Sequence, residues 1–102
     1  MGKVRNETSY VDENDGLADV GFNAESDDSK KMIESVIFLE YAVEEGDEVE
    51  EGQTLVTAEV MKGTFELKSP ISGAVEALNH DIEDDPDLLK DDAEIWLVRL
   101  KR

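Results

Sequence analysis

The sequence of 102 residues suits a single domain with a small core and little room for a deep catalytic cleft. Its formal net charge of −17 argues against binding to nucleic acids or anionic membranes, because both require a basic face. Cysteine is absent, which excludes disulfides and thiolate metal sites. No membrane-length apolar run or signal-peptide core is visible, so we expect a monomeric cytoplasmic protein.

The first half of the chain opens with a polar N-terminal segment, residues 1–16, in which "TSYV" is the only strand-like fragment. "LADVGF", 17–22, predicts a short strand. "NAESDDSKKMIES" predicts one helical turn near 29–34. "SVIFLEYAV", 35–43, is the longest apolar run and is typical of a buried strand.

The second half alternates short strands with turn signals. Gly46 and Gly52 predict tight turns with positive φ, and "TLVTAEV" and "TFELK" predict strands at 54–60 and 64–68. "SPISGAVEAL" predicts a turn and a strand, "EDDPDLLKDD" a helical turn near 86–90, and "EIWLVRLK" the last strand. In the helical turn, Asp85 is the expected N-cap and Pro86 the first helical residue.

This spacing predicts an all-β sandwich or barrel. The residues expected to fill its core are Val36, Ile37, Leu39, Leu55, Val56, Val75, Trp96 and Val98.

One lysine stands between two of the predicted strands. Met61, Lys62 and Gly63 would form the hairpin connection, and Gly63 would leave the flank of the lysine unobstructed. A free ε-amine has a pKa of about 10.4, so Lys62 is a poor catalyst but a suitable acceptor for an enzyme that deprotonates and acylates it. On local features alone, an exposed lysine at a hairpin tip is more often a solubilising residue.

The stretch "VEEGDEVEEGQTLVTAEVMKGTFELKSPISGAVEALN" resembles the biotinyl/lipoyl attachment domain, and residues 33–101 resemble the H protein of the glycine cleavage system. Gly46 and Gly52 precede Lys62 at the spacing typical of that family, and Glu59 lies three residues before the lysine. Further matching motifs are Ser69-Pro70, Ser72-Gly73, Asn79, Glu83-Asp84-Asp85-Pro86, Trp96-Leu97-Val98 and "DVGF" at 19–22.

The resemblance implies a flattened barrel-sandwich of two small antiparallel sheets, with short helical turns, in a domain spanning 17–102. It implies a non-catalytic carrier with a lipoyl group bound covalently to Lys62. A lipoate-protein ligase or lipoyl transferase would recognise the surrounding residues Glu59, Met61, Gly63 and Gly46. The arm would then serve glycine decarboxylase, aminomethyltransferase and dihydrolipoyl dehydrogenase, or analogous partner enzymes.

Two alternatives stay open at this point. Met61 is typical of biotin acceptors, whereas Gly63 and Glu59 are typical of lipoyl acceptors, so a biotin carboxyl carrier is the second hypothesis. The third is an acidic β module that binds proteins and carries no cofactor. His80 is the only histidine and is expected in a surface loop, so we predict neither a catalytic triad nor a metal site.

Overall fold

The computed structural model describes residues 2–6, 8–61 and 63–102. Within them, nine strands form two antiparallel sheets and three short helices connect some of the strands, which confirms the predicted all-β sandwich. The strands are β1 (Gly2–Arg5), β2 (Ser9–Asn14), β3 (Leu17–Phe22), β4 (Val36–Tyr41), β5 (Glu48–Val49), β6 (Thr54–Val60), β7 (Gly63–Lys68), β8 (Gly73–Leu78) and β9 (Val98–Lys101). The helices are α1 (Asp27–Ser35), α2 (His80–Asp84) and α3 (Leu88–Asp91).

The larger sheet has the strand order β1-β2-β3-β9-β8-β5, and the smaller sheet has the order β4-β6-β7. Apolar side chains from both sheets and all three helices form one continuous core. Phe22 of the larger sheet meets Phe65 of the smaller sheet edge to face, with ring centroids 5.7 Å apart. The smaller sheet, which contains the lysine hairpin, is therefore anchored across the core.

The polar segment at the N-terminus contributes two strands to the larger sheet. β2 contains the last three residues of the predicted "TSYV" strand and continues to Asn14; Tyr10 and Val11 are buried, and Val11 pairs with Val20 of β3. β1 has no apolar alternation that would have revealed it. Its Lys3 and Arg5 side chains instead bind the carboxylate of Glu94.

α1 is longer than the single turn predicted. Ser26 caps it, because its side-chain oxygen accepts a hydrogen bond from the backbone N–H of Ser29 at 3.5 Å, and Met32 and Ile33 pack into the core. No helix in the described parts of the chain is long and apolar enough to cross a membrane.

The predicted N-cap hydrogen bond of Asp85 is present, although the regular helix that follows begins two residues later than predicted. Asp85 ends α2, a helix that the sequence analysis did not predict, and α3 begins later with Asp87 in the cap position. Because Asp85 precedes Pro86, the α region is disfavoured for it, and its backbone is extended at φ −140°. Its carboxylate accepts a hydrogen bond from the N–H of Asp87 at 3.2 Å, and its carbonyl accepts one from the N–H of Leu88 at 3.1 Å, which is the bonding expected of an N-cap.

The predicted core is correct except at two positions. Ile37 is 56% exposed, because a bulge in β4 turns it away from the core. Trp96 is half-buried, since its ring lies beneath the guanidinium of Arg99 with the Cζ atom 4.7 Å from the ring centroid. The six residues predicted correctly are Val36, Leu39, Leu55, Val56, Val75 and Val98.

Candidate functional site

The predicted lysine hairpin is present and is formed by β6 and β7. Val60 pairs with Gly63, so the connection between the strands consists of residues 61 and 62. Lys62 itself lies outside the described residues, and its surroundings are known from its neighbours. β7 begins one residue earlier than expected, which makes the connection two residues long, the commonest length in hairpins.

Both described neighbours of Lys62 are exposed. Met61 is 79% exposed, and no heavy atom outside the flanking residues lies within 4 Å of the position that a Cβ on Gly63 would occupy. Gly63 has φ +143°, a backbone conformation that strains any residue with a side chain. The hairpin therefore offers open space on either side of position 62.

Glu59 lies on the solvent-facing side of the smaller sheet. It pairs directly with Phe38 of β4 and with Thr64 of β7, and directly paired residues in an antiparallel sheet share a face. We call this side of the sheet the outer face, and it consists of Phe38, Glu59, Thr64, Glu40, Thr57 and Glu66. The opposite side packs into the core through Leu39 and Ala58.

Gly46 lies apart from the other predicted recognition residues. It follows the end of β4 at Tyr41, whereas the hairpin connection adjoins the start of β4 at Val36, roughly 17 Å away along the strand. Its φ of +96° makes the turn that leads into β5, as predicted, and its N–H donates to the carbonyl of Val75 at 2.8 Å. The structure thus brings Glu59, Met61 and Gly63 together and leaves Gly46 at the other end of the sheet.

A groove adjoins the hairpin on the side of α1. Its volume is about 410 Å³ and it is open to solvent. The sequence analysis did not assign α1 to the site, although the spacing of Asp28, Lys31 and Met32 is the helical signal that could have done so. The groove is lined by Asp28, Lys31, Met32, Ser35, Val60, Thr64 and Phe65.

His80 lies on the surface as expected, but at the start of α2 and not in a loop. Its Nδ1 atom is 2.9 Å from Oε1 of Glu83, and this hydrogen bond raises the pKa of the imidazole. The ring also contacts that of Tyr41 edge to face. Since Tyr41 is at the end of β4 away from the hairpin, His80 is remote from position 62.

Comparison of the sequence with known proteins identifies a family of carrier proteins. The family model for the glycine cleavage H-protein matches residues 3–102. The chain is 33% identical to the glycine cleavage system H protein of Pseudoalteromonas translucida over 110 residues, covering 99% of this chain and 82% of that protein. It is 35% identical over 94 residues to the H protein of Prochlorococcus marinus (strain MIT 9215), covering 90% of this chain and 70% of that one.

The fold is also that of a solved H protein. The crystal structure of a glycine cleavage system H protein from Mycobacterium marinum matches 97% of this chain and 81% of its own, with a TM-score of 0.80 and 21% identity. The two antiparallel sheets of the present chain are therefore those of this fold. With the family model matching nearly every residue, the chain belongs to the glycine cleavage H-protein family, a family of carrier proteins.

Proposed function

We propose that this protein is a lipoyl carrier of the glycine cleavage system, with the lipoyl group attached through an amide to Nζ of Lys62. Membership of the H-protein family supports the carrier function. The observation that supports Lys62 is the two-residue connection between paired Val60 and Gly63, with Met61 exposed beside it. The protein itself would be non-catalytic.

The residues around position 62 fit a lipoyl-lysine arm. The open space at Gly63 leaves room for a modifying enzyme, and the paired strands β6 and β7 give the arm a rigid base. When bound, the lipoyl group supplies a disulfide that can be opened, loaded and reoxidised. The chain has no cysteine, so no protein thiol competes for that disulfide, and exchange is left to partner enzymes.

The groove beside the hairpin suits the aliphatic part of such an arm. Met32, Val60 and Phe65 supply apolar surface, while Lys31 and Asp28 supply charge. The groove borders Val60, which directly precedes the connection, and Thr64, the second residue of β7. We expect contacts here to limit the volume that the arm explores, which raises its effective concentration near the hairpin.

Several enzymes must recognise the hairpin in turn. A lipoate-protein ligase or lipoyl transferase would attach the group and would recognise Glu59, Met61 and Gly63 by contact. The loaded arm would then visit glycine decarboxylase, aminomethyltransferase and dihydrolipoyl dehydrogenase. Because Gly46 lies at the far end of the sheet, we assign it to the turn before β5 and not to this recognition surface.

Intact mass after expression with lipoate and its ligase tests the proposal. We expect one lipoyl addition on the wild-type chain and none on Lys62→Arg, which keeps the charge but resists acylation. A biotin-sized addition, with capture by streptavidin, would support the alternative of a biotin carrier, for which Met61 is the typical residue. The absence of any addition under either regime would support the unmodified protein-binding module.

The recognition residues can be tested separately with a matched pair of variants. Glu59→Gln removes a carboxylate beside the hairpin, and Glu66→Gln removes one on the same face but two positions farther along the Lys62 hairpin. We expect the initial rate of lipoylation to fall in the first and to change little in the second. Equal rates in both variants would contradict the role assigned to Glu59.

A further inference from the structure

The edge strand β4 carries an irregularity next to the lysine hairpin. Val36 pairs with Val60 and Phe38 pairs with Glu59, so β4 has one extra residue, Ile37, at this point. Such a bulge breaks the alternation of side chains between the two faces of the sheet. As a result both Ile37 and Phe38 are turned outward, where they are 56% and 42% exposed.

These two side chains form most of an apolar patch. The large apolar residues that are clearly exposed in the described parts of the chain are Val4, Ile37, Phe38 and Met61. Three of the four lie at the hairpin end of the smaller sheet, within two positions of the Val36–Val60 pair. We call Ile37, Phe38 and Met61 the hairpin patch.

Three carboxylates lie next to the hairpin patch along the chain or across the strands, and Lys31 of the adjoining groove is a cation close by. Glu34 at the end of α1 and Glu40 on the outer face are exposed, and Glu59 pairs with Phe38 across the strands. Together with the net charge of −17, this disfavours docking of a second copy of the chain through the open edge of β4. A complementary partner presents an apolar cleft with a rim of lysine or arginine.

The position of the hairpin patch next to Lys62 indicates which of the expected partner enzymes docks on it. A lysine ε-amine sits on a four-carbon stem, so an enzyme that acylates Lys62 must bring its active site close to the backbone of the hairpin. An enzyme that acts on the distal disulfide of a finished arm reaches it farther from the backbone. On the basis of the function proposed above, we propose that the hairpin patch is the docking surface for the enzyme that attaches the lipoyl group.

In this role Ile37 and Phe38 bind the attaching enzyme and take no part in the chemistry. Apolar and aromatic side chains at the centre of an interface contribute most of its binding energy. Their loss therefore weakens the encounter while the amine and its acyl donor stay unchanged. The bulge in β4 is the feature that makes this surface available, since regular pairing would alternate the two side chains between the faces.

The test is steady-state kinetics of lipoylation by a lipoate-protein ligase, with the concentration of the unmodified chain varied. The variant is Ile37→Thr combined with Phe38→Thr, because threonine is β-branched and suits a strand at both positions. The control is Val4→Thr, which changes an apolar residue on β1 of the larger sheet that is 62% exposed. Thermal unfolding checks that all three proteins are folded.

We expect the KM for the protein substrate to rise at least tenfold in the double variant, with kcat within twofold of wild type and the control unchanged. We also expect the wild-type KM to rise between low and high salt, because the partner rim is cationic. An unchanged KM in the double variant, or an equal rise in Val4→Thr, would overturn the docking proposal. So would a wild-type dimer, detected by light scattering, that the double variant abolishes.

These outcomes are distinct from failure of the proposed function. If the wild-type chain accepts lipoate and the double variant has the same KM for lipoylation, only the docking proposal fails. If the wild-type chain accepts no lipoate, the carrier function at Lys62 fails first.

Discussion

The carboxylate of Glu94 ties the first strand to the rest of the fold. Its Oε1 atom accepts hydrogen bonds from Lys3 Nζ at 2.9 Å and Arg5 Nη2 at 2.7 Å, and its Oε2 atom accepts from Arg5 Nε at 3.1 Å and from the N–H of Ala24 at 3.2 Å. The hydrogen bonds from Arg5, aided by Lys3 and Ala24 and opposed by desolvation, lower the pKa of Glu94 to about 2. We predict that Glu94→Gln destabilises the protein in a pH-dependent way.

The magnitude follows from the shift in pKa and the exposure of the partners. A fall from 4.5 to about 2 would correspond to ~3 kcal/mol without screening by solvent. The side chains of Lys3 and Arg5 are 33% exposed, so we expect about 1–2 kcal/mol instead. Because the folded-state pKa is depressed, this stability is present above the unfolded pKa of 4.5 and is lost as the pH falls towards 2.

Urea unfolding of wild type and Glu94→Gln at pH 7, 4 and 2.5 measures this effect. The difference in free energy of unfolding should be largest at pH 7 and should shrink steadily towards pH 2.5. The control is Glu48→Gln, an exposed carboxyl that makes no ion pair with other residues in the described ranges, and it should change little at any pH. A difference for Glu94→Gln that is equally large at pH 7 and pH 2.5 would refute the electrostatic account.

Three further substitutions test the fold away from the lysine hairpin. Tyr41→Phe removes a partly buried hydroxyl that donates towards the carbonyls of Leu97 and Asn79 and accepts from the N–H of Asn79, and it should lower the free energy of unfolding in urea by about 1–2 kcal/mol. Gly21→Ala would place a Cβ 2.6 Å from the Tyr10 ring, so we expect a loss of about 1–3 kcal/mol, measured in the same way; an unchanged midpoint would contradict the packing described. Gly46→Ala should lower stability by about 1–3 kcal/mol because of its positive φ, yet leave the lipoylation rate unchanged. A slower lipoylation rate in the folded Gly46→Ala variant would show that Gly46 takes part in recognition by the attaching enzyme.

The sequence by itself determined the features that depend on local chemistry. Alternating apolar residues predicted β6, because successive side chains of a strand point to opposite faces of the sheet. Glycine at 46 and 52 predicted turns with positive φ, because glycine adopts that backbone conformation without strain. The position of Lys62 between two such strands followed directly from their boundaries.

Only the tertiary structure decided which residues share a surface. Gly46 stands at a regular distance from Lys62 in the sequence, but strand pairing places it at the other end of the smaller sheet. The run "SVIFLEYAV" predicted a buried strand, whereas the bulge at Ile37 leaves two adjacent apolar side chains, Ile37 and Phe38, facing solvent. Pairing register and bulges depend on contacts between segments that are distant in the chain, so they cannot be predicted from a local sequence pattern.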